Sequence, residues 1–355
     1  MIPDIPIMQV QPYWSGDTEN RLREVWRSGQ FSNFGPQVLM LEDKFAQKMK
    51  VDPSQVVSVT NATLGLTGAL QTSRVTKWLV PSWTFAATVH AALMAGVEIS
   101  LVDVAEETWI NRHIGSLEQD SGGLLVLPFG SGLEAFDWSD DDSVVIDAAA
   151  SIAAKLPSLS TLPKNSSIVF SLHATKVLGV GEGGLAVFGS TEAATRFRQW
   201  TNFGFDGHRE SKFVGSNAKM SEVVAALNLL QIEEWETIAG GWKVARSRME
   251  RMAKSVGLES FAPLQGENGP YFIAVFSDEL ERNRVEKMLT ECRVETRRWW
   301  GGGCHTMPAF QNLTREKLET TERIAAKYLG LPLFPGLQED QVSQIEAQLC
   351  GKLRL

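Results

Sequence analysis

The sequence predicts an α/β fold, with a large domain built on a mainly parallel sheet flanked by helices and a smaller C-terminal α+β domain. Short apolar or β-branched runs alternate with helical patterns from about residue 56 to residue 188, which is typical of βαβ units. After about residue 257 the pattern changes to mixed strands and helices. Because 355 residues exceed what one compact core usually holds, we expect two domains. We place the large domain, with an N-terminal arm, at residues 1–240 and the small domain at residues 241–355.

The first half of the chain begins with helical patterns and continues as strand–helix alternation. Amphipathic spacing predicts the early helices, β-branched content predicts the strands, and Gly96 closes the helix at 84–95. The predicted elements are helices at 19–26 and 39–49, a strand at 56–60, a helix at 64–70, a strand at 78–80, a helix at 84–95 and a strand at 97–104.

Four further apolar runs, at 124–127, 144–146, 168–171 and 185–188, predict the remaining buried strands of the sheet. Ligands of such sheets gather at the carboxyl ends of the strands. The segments 220–235 and 242–252 have helical spacing and predict a long helical connector. In the small domain, we predict a strand at 271–276 and a helix at 318–329.

Composition excludes several classes of partner. The formal net charge is -8, and no stretch gathers Lys and Arg into the basic stripe that nucleic-acid binding requires. No segment has the pattern of a signal peptide or of a bilayer-spanning helix. We therefore expect a cytoplasmic protein that binds neither nucleic acid nor membranes. Cys292, Cys304 and Cys350 have no close pair, which predicts reduced thiols and no metal site.

Two charged residues follow predicted strands at the edge where ligands gather. Asp147 closes the strand 144–146, and Lys176 lies between the strand 168–171 and a glycine-rich turn. The ordinary alternatives are a helix cap for Asp147 and a solvated loop lysine for Lys176. A carboxylate that keeps a pyridine nitrogen protonated lets the ring withdraw electrons. The two residues could therefore share one cofactor cleft.

A phosphate group would find a cradle at residues 61–63, a strand-to-helix turn with free backbone N–H groups and a hydroxyl. Ordinary capping of the following helix is the alternative. Ser171 could add a hydrogen bond to the phosphate, or satisfy its hydroxyl locally. Trp83 and Phe85 follow the strand 78–80, where an aromatic ring could cover a flat cofactor or pack in the core.

Six segments resemble, in order, the blocks of the DegT/StrS-type nucleotide-sugar aminotransferases, a family of fold type I enzymes that depend on pyridoxal phosphate. They are residues 61–63, 80–85, 145–149, 170–176, 181–184 and 215–222. Residues 296–297, His305 with 308–310, and 331–336 resemble the small-domain signatures of the same family. The resemblance covers nearly the whole chain and implies a fold type I aminotransferase.

The resemblance implies the groups that hold the cofactor, pyridoxal 5′-phosphate. Lys176 is implied as the lysine that binds it covalently, and Asp147 as the partner of its pyridine nitrogen. Ala62, Thr63 and Ser171 are implied around its phosphate.

Further residues are implied around the ring and the substrate. Phe85 would stack on the ring, and Asn217 would reach the phosphate bound by a neighbouring subunit, which makes a homodimer the smallest catalytic unit. His173 and His305 would line the sugar side. Lys219 stands where many members have arginine, and it would keep the charge without the planar fork.

The implied activity transfers an amino group from an amino acid, with glutamate as the donor, to a keto-sugar linked to a nucleotide. Such a reaction serves amino-sugar biosynthesis for a surface polysaccharide, such as lipopolysaccharide, or for a glycoside. Ala150 departs from the family pattern, which has Gln or His there against the ring hydroxyl of the cofactor. The alternatives are a cyclitol aminotransferase, a non-catalytic cofactor-binding relative, or a sugar dehydratase, against which Lys176 argues because dehydratases carry histidine there.

Overall fold

The computed structural model describes residues 6–9, 17–111, 117, 120–262 and 269–350. The α-helices in these residues are α1 Thr18–Ser28, α2 Pro36–Met49, α3 Ala62–Thr72, α4 Ala86–Ala95, α5 Thr191–Thr201, α6 Glu222–Glu233, α7 Trp235–Val256, α8 Glu279–Glu291, α9 Glu319–Lys327 and α10 Glu339–Leu349. The strands are β1 Val56–Val59, β2 Lys77–Pro81, β3 Glu98–Val102, β4 Ser121–Val126, β5 Ser143–Asp147, β6 Ser166–Ser171, β7 Gly184–Phe188, β8 Glu259–Ser260, β9 Phe272–Val275, β10 Thr314–Arg315 and β11 Tyr328–Leu331.

A large sheet has the strand order β1-β7-β6-β5-β4-β2-β3-β10. Strand β7 runs antiparallel to both of its neighbours, and the other neighbouring pairs are parallel. A small antiparallel sheet has the order β11-β9-β8. The predicted α/β fold with a mainly parallel sheet is confirmed.

The large sheet is covered on both faces, which explains the continuous apolar runs of its central strands. Val144 and Ile146 of β5 belong to one buried cluster, and Val145 between them belongs to the cluster on the opposite face, with α3 and α4. Because strand side chains alternate, Asp147 points to the same face as Val145. The alternation thus directs the last side chain of β5 towards α4.

One prediction for the small domain is wrong at its end. The segment 318–329 was expected to be a single helix, but α9 ends at Lys327 and the chain continues as β11. Tyr328 pairs with Val275 and Leu331 with Phe272, and all four residues of β11 are buried. The apolar spacing suits a helix or a buried strand, and pairing with β9 decides between them.

The helical connector consists of α6 and the longer α7, which includes the segment 242–252 that the sequence predicts. Helix α7 runs through residue 240, so the proposed division of the chain at that residue stays a prediction. Within the described ranges, no helix is long and apolar enough to cross a membrane, and no group of three or more His, Cys, Asp or Glu could hold a metal ion. Cys292, Cys304 and Cys350 are free cysteines, as predicted.

Candidate active site

Asp147 lies at the carboxyl end of β5, where its side chain is buried against α4. Its Oδ2 atom accepts a hydrogen bond of 2.7 Å from the Thr88 hydroxyl. Since Thr88 has one hydroxyl hydrogen, the Thr84 hydroxyl, 2.7 Å away, donates to Thr88 in turn. The Oδ1 atom accepts the amide of Ala149 at 3.1 Å, in a turn rather than in a helix. The carboxylate is therefore held in one orientation.

Burial raises the pKa of Asp147 above its ordinary value, while the hydrogen bonds from Thr88 and Ala149 and the charge of Lys176 oppose that shift. A buried carboxylate loses hydration, so a cation in front of it would favour the charged form. The protonated nitrogen of a pyridine ring is a cation of this kind. The environment of Asp147 suits that partner.

Lys176 lies in the loop that follows β6, and its side chain is half-buried. Its backbone amide donates to the carbonyl of His173 at 2.8 Å. Its Nζ atom donates to the hydroxyl of Tyr271 at 2.6 Å and lies 5.1 Å from the centre of the Tyr271 ring. Because the charge of Lys176 also lowers the pKa of Asp147, both groups lie at the same edge of the sheet.

The glycine-rich turn after Lys176 folds back onto the lysine loop. The amide of Ala174 donates to the carbonyl of Gly181 at 2.8 Å. A Cβ atom at Gly179 would lie 2.0 Å from the carbonyl oxygen of His173, so only glycine fits there. This close approach fixes the loop that presents Lys176.

The N-terminus of α3 faces the same edge of the sheet. Asn61 caps the helix: its side chain accepts the amide of Leu64 at 2.9 Å, and its carbonyl accepts the amide of Gly65 at 3.0 Å. The amides of Ala62 and Thr63 precede these capped positions in the first turn, where helical amides have no intrahelical acceptor. The capping alternative is thus realised, and it is compatible with an anion at these two amides.

Ser171 places a hydroxyl group beside the N-terminus of α3, and Gly184 leaves an open space there. Ser171 is the last residue of β6 and lies opposite Gly184 in register. The Ser171 hydroxyl oxygen accepts the amide of His173 at 3.2 Å, which leaves its hydrogen available to donate. A Cβ atom at Gly184 would lie 2.9 Å from the Ala62 nitrogen. Glycine therefore keeps this corner open.

The two candidate aromatic residues differ in position. Trp83 is fully buried and packs edge-on against Trp109, Trp300 and Tyr328, so it takes the core-packing alternative. Phe85 precedes α4 and leaves 54% of its surface exposed. Of the two, Phe85 is the one free to cover a ligand.

Asn217 is exposed and Lys219 is half-buried, and their side chains contact each other. The Lys219 Nζ atom donates to the Asn217 side chain at 2.7 Å and lies 4.8 Å from the centre of the Phe203 ring. Burial lowers the pKa of Lys219. Among the described residues, no hydrogen bond or ion pair joins Asn217 or Lys219 to Lys176 or Asp147.

The two candidate histidines have different environments. His173 is half-buried, with Nδ1 2.8 Å from the Thr175 hydroxyl and Nε2 3.7 Å from Glu182. His305 is buried, with Nδ1 2.8 Å from the Ser82 hydroxyl and Nε2 3.5 Å from Glu322. Burial lowers the pKa of His305. The structure thus ties His305 to the turn after β2 and leaves His173 closer to solvent in the lysine loop.

Two residues at the site were not predicted from the sequence. Thr88 could have been inferred, because Thr84 and Thr88 stand four residues apart near the start of a helix. Tyr271 gave no local signal, since it lies 95 residues from Lys176 in sequence. Ala150, which stands where the family has Gln or His, is buried in the same apolar cluster as Tyr271 and Phe129. Aromatic rings therefore lie in the cluster around this alanine.

Comparisons with known proteins show which proteins this chain resembles. The family model described as the DegT/DnrJ/EryC1/StrS aminotransferase family matches residues 13–113 and 139–350. A dTDP-4-amino-4,6-dideoxy-D-glucose transaminase from Shigella dysenteriae is 28% identical over 340 residues, which cover 91% of this chain and 92% of the relative.

Two solved structures are similar over nearly their full length. A Bacillus cereus protein assigned as a PLP-dependent aminotransferase is 26% identical with a TM-score of 0.88, covering 98% of this chain and 100% of that chain. DesI, solved with its TDP-sugar product, is 26% identical with a TM-score of 0.86, covering 98% and 93%.

Proposed function

The chain belongs to the DegT/DnrJ/EryC1/StrS aminotransferase family, and on this premise we propose that it moves an amino group from glutamate to a keto-sugar linked to a nucleotide. The main observation behind this proposal is that the amine of Lys176 and the buried carboxylate of Asp147 interact at one edge of the sheet. The substrate class is supported by the relatives, since the Shigella transaminase is named for a dTDP-linked amino sugar and DesI was solved with a TDP-sugar.

The chain is an aminotransferase, and its cofactor is pyridoxal 5′-phosphate. The donor set fits that group. Lys176 offers a primary amine to the aldehyde, and Asp147 offers a fixed, buried carboxylate to the ring nitrogen. The phosphate would bind the amides of Ala62 and Thr63 and the hydroxyl of Ser171, in the corner that Gly184 leaves open.

When bound, the cofactor supplies an aldehyde that bonds to amines and a ring that accepts the electron pair released at the substrate carbon. The protein supplies orientation and proton transfer. Asp147 would hold the proton on the ring nitrogen, and the hydrogen bond from Thr88 keeps the Asp147 carboxylate in one orientation. With its amine free, Lys176 would act as the base that moves the proton at the donor α-carbon. Phe85 would cover the ring face and exclude water.

We assign the shared part of the site to a homodimer, in which Asn217 of one protomer reaches the phosphate bound by its partner. Asn217 is exposed and held by Lys219. Phe203 and Val214, near it along the chain, leave 44% and 77% of their surfaces exposed. Exposed apolar residues around a polar group support an interface at this segment.

The sugar side of the site is assigned to His173, His305 and Lys219. His173 shares the loop of Lys176, and His305 is anchored beside the turn that leads to Phe85. The product would be an amino sugar made in the cytoplasm for a surface polysaccharide, such as lipopolysaccharide, or for a glycoside.

Lys176→Ala tests this proposal. The wild-type protein loaded with pyridoxal phosphate should show a visible absorption band that glutamate removes and a nucleotide-linked keto-sugar restores. Lys176→Ala should lack the band, because Lys176 is the lysine whose charge acts on Asp147. The control is Lys155→Ala, which changes an exposed loop lysine and should keep the band.

The choice of acceptor separates the substrate classes. The panel should contain dTDP-, UDP- and GDP-linked keto-sugars and a keto-inositol, each added after glutamate has removed the band. Recovery with a nucleotide-linked keto-sugar supports the proposal. Recovery with keto-inositol alone would make the protein a cyclitol aminotransferase, and an unchanged spectrum in Lys176→Ala would exclude Lys176 as the anchor.

A further inference from the structure

The side chain of Lys176 has a hydrogen-bond partner in the C-terminal part of the chain. Its Nζ atom lies 2.6 Å from the hydroxyl oxygen of Tyr271, which immediately precedes β9. Tyr271 is 6% exposed, so its hydroxyl reaches the cleft from a buried ring. We propose that Tyr271 is the positioning residue for Lys176, and that it holds the lysine amine at the point where the proton is transferred. This inference rests on the proposed function.

The ring of Tyr271 is fixed by its neighbours. Phe129 and Trp299 pack against it edge-on, with ring centres 5.6 Å and 4.9 Å away. The guanidinium of Arg246, buried in α7, donates to the Tyr271 carbonyl at 2.5 Å and to the Gly269 carbonyl at 3.0 Å. Backbone and ring are therefore both held, and the hydroxyl stands at a defined point.

A lysine amine needs such a fixed partner more than most groups do. Its four-carbon stem is flexible, and Lys176 is only half-buried. The position of a reacting group strongly affects the rate of the reaction step, because a small displacement of that group from the reacting atom lowers the rate. A rigid phenol that restricts the amine to one site reduces this loss.

The chemistry of a phenol suits a lysine that gains and loses a proton. A tyrosine hydroxyl accepts a hydrogen bond from a protonated amine and donates one to a neutral amine. The Lys176–Tyr271 contact can therefore persist through both protonation states. An ionised carboxylate could only accept. Asp147 and Tyr271 thus have separate tasks, the first on the ring nitrogen and the second on the lysine.

Tyr271→Phe removes the hydroxyl and keeps the ring packing. The first measurement follows the rate at which cofactor-free protein captures added pyridoxal phosphate, read from the growth of the visible band. The second measures kcat and the KM for glutamate, with the position of the band recorded. The loss of a hydrogen bond to a charged group changes a rate or an equilibrium constant by about tenfold to a hundredfold. The rate of cofactor capture and kcat should therefore fall by that factor in Tyr271→Phe. The visible band should shift, and the KM for glutamate should change little.

The matched control is Tyr328→Phe. Tyr328 belongs to the same buried cluster, but its hydroxyl accepts the amide of Trp300 at 2.8 Å instead of contacting the lysine. We expect lower resistance to urea with unchanged capture rate and band position. Circular dichroism and urea unfolding of both variants establish that each is folded.

The outcomes separate this inference from the proposed function. A wild-type protein that captures no cofactor would overturn both. Normal capture by the wild type, with Tyr271→Phe equal to it in capture rate, band position and kcat, would overturn the role of Tyr271 alone. An equal loss in Tyr328→Phe would also overturn it, because packing of the cluster would then explain the effect.

Discussion

Replacing Thr88 with valine tests how the fold controls Asp147. The two side chains have nearly the same shape, so the substitution deletes the 2.7 Å hydrogen bond to Oδ2 while the amide of Ala149 still donates to Oδ1. The Thr84 hydroxyl also loses its acceptor. A hydrogen bond to a charged group contributes about 1.5–3 kcal/mol. We expect the free energy of unfolding of the cofactor-free protein to fall by about that amount at pH values above the raised pKa of Asp147, where the carboxylate is charged.

The pH dependence of this loss follows from the pKa of Asp147. Burial raises that pKa above the ordinary value of 3.8, so the folded protein binds the proton more tightly than the unfolded chain. The contribution of this group is stabilising below the ordinary pKa and is lost as the pH rises through the raised value. The Thr88 hydrogen bond lowers the pKa of Asp147, so its removal raises that pKa further. The loss of stability with rising pH then continues to a higher pH. Below the raised pKa, only a neutral hydrogen bond of about 0.5–1.5 kcal/mol disappears.

The assay is urea unfolding of cofactor-free protein at one fixed protomer concentration, at the highest and at the lowest pH where the fold persists. Thr201→Val is the control, because the Thr201 hydroxyl is equally buried but donates to the carbonyl of Arg198 at 2.7 Å. Its loss should not depend on pH. A loss in Thr88→Val that is equal at both pH values, or absent, would refute the reasoning about Asp147.

Two further predictions concern the phosphate corner. Gly184→Ala would place a methyl group 2.9 Å from the Ala62 nitrogen. The affinity for pyridoxal phosphate should then fall by at least about tenfold, which is the effect of losing one hydrogen bond to a charged group. Equal affinity of the variant and the wild type in a fluorescence titration would place the phosphate elsewhere. Asn217→Ala and Lys176→Ala protomers, each nearly inactive alone, should complement when mixed, because half of the dimers would contain one intact site and restore about a quarter of wild-type activity. Mixed protein that stays inactive would argue against a shared site.

Local signals in the sequence were sufficient for the centre of the fold and for much of the candidate site. The apolar runs before Asp147 and Lys176 predicted that both residues follow buried strands. In a parallel sheet, ligands bind at the carboxyl ends of the strands, so both residues were expected near a ligand. The antiparallel direction of β7 could not be inferred in the same way, since an apolar run does not record which way a strand runs. Strand β10 has two exposed residues and no periodicity.

What the sequence could not provide are contacts between distant segments. The hydrogen bond between Tyr271 and Lys176 joins residues that are 95 positions apart in the sequence. Neither residue type predicts the other as its partner. Residues 328–329, the first half of β11, were predicted as helix for the same reason, because the pairing of β11 with β9 is a tertiary contact. Thr88 lies between these cases: its spacing from Thr84 was visible, but its acceptor became clear only when α4 was packed over β5.

The central claim is that Lys176 carries the cofactor opposite Asp147. The most direct measurement loads the protein with pyridoxal phosphate, reduces the bond between cofactor and protein with borohydride, and maps the modified peptide by mass spectrometry. The account predicts one cofactor per chain, attached to Lys176. Stoichiometric attachment to another lysine, or the absence of a modified peptide from fully folded protein, would contradict it.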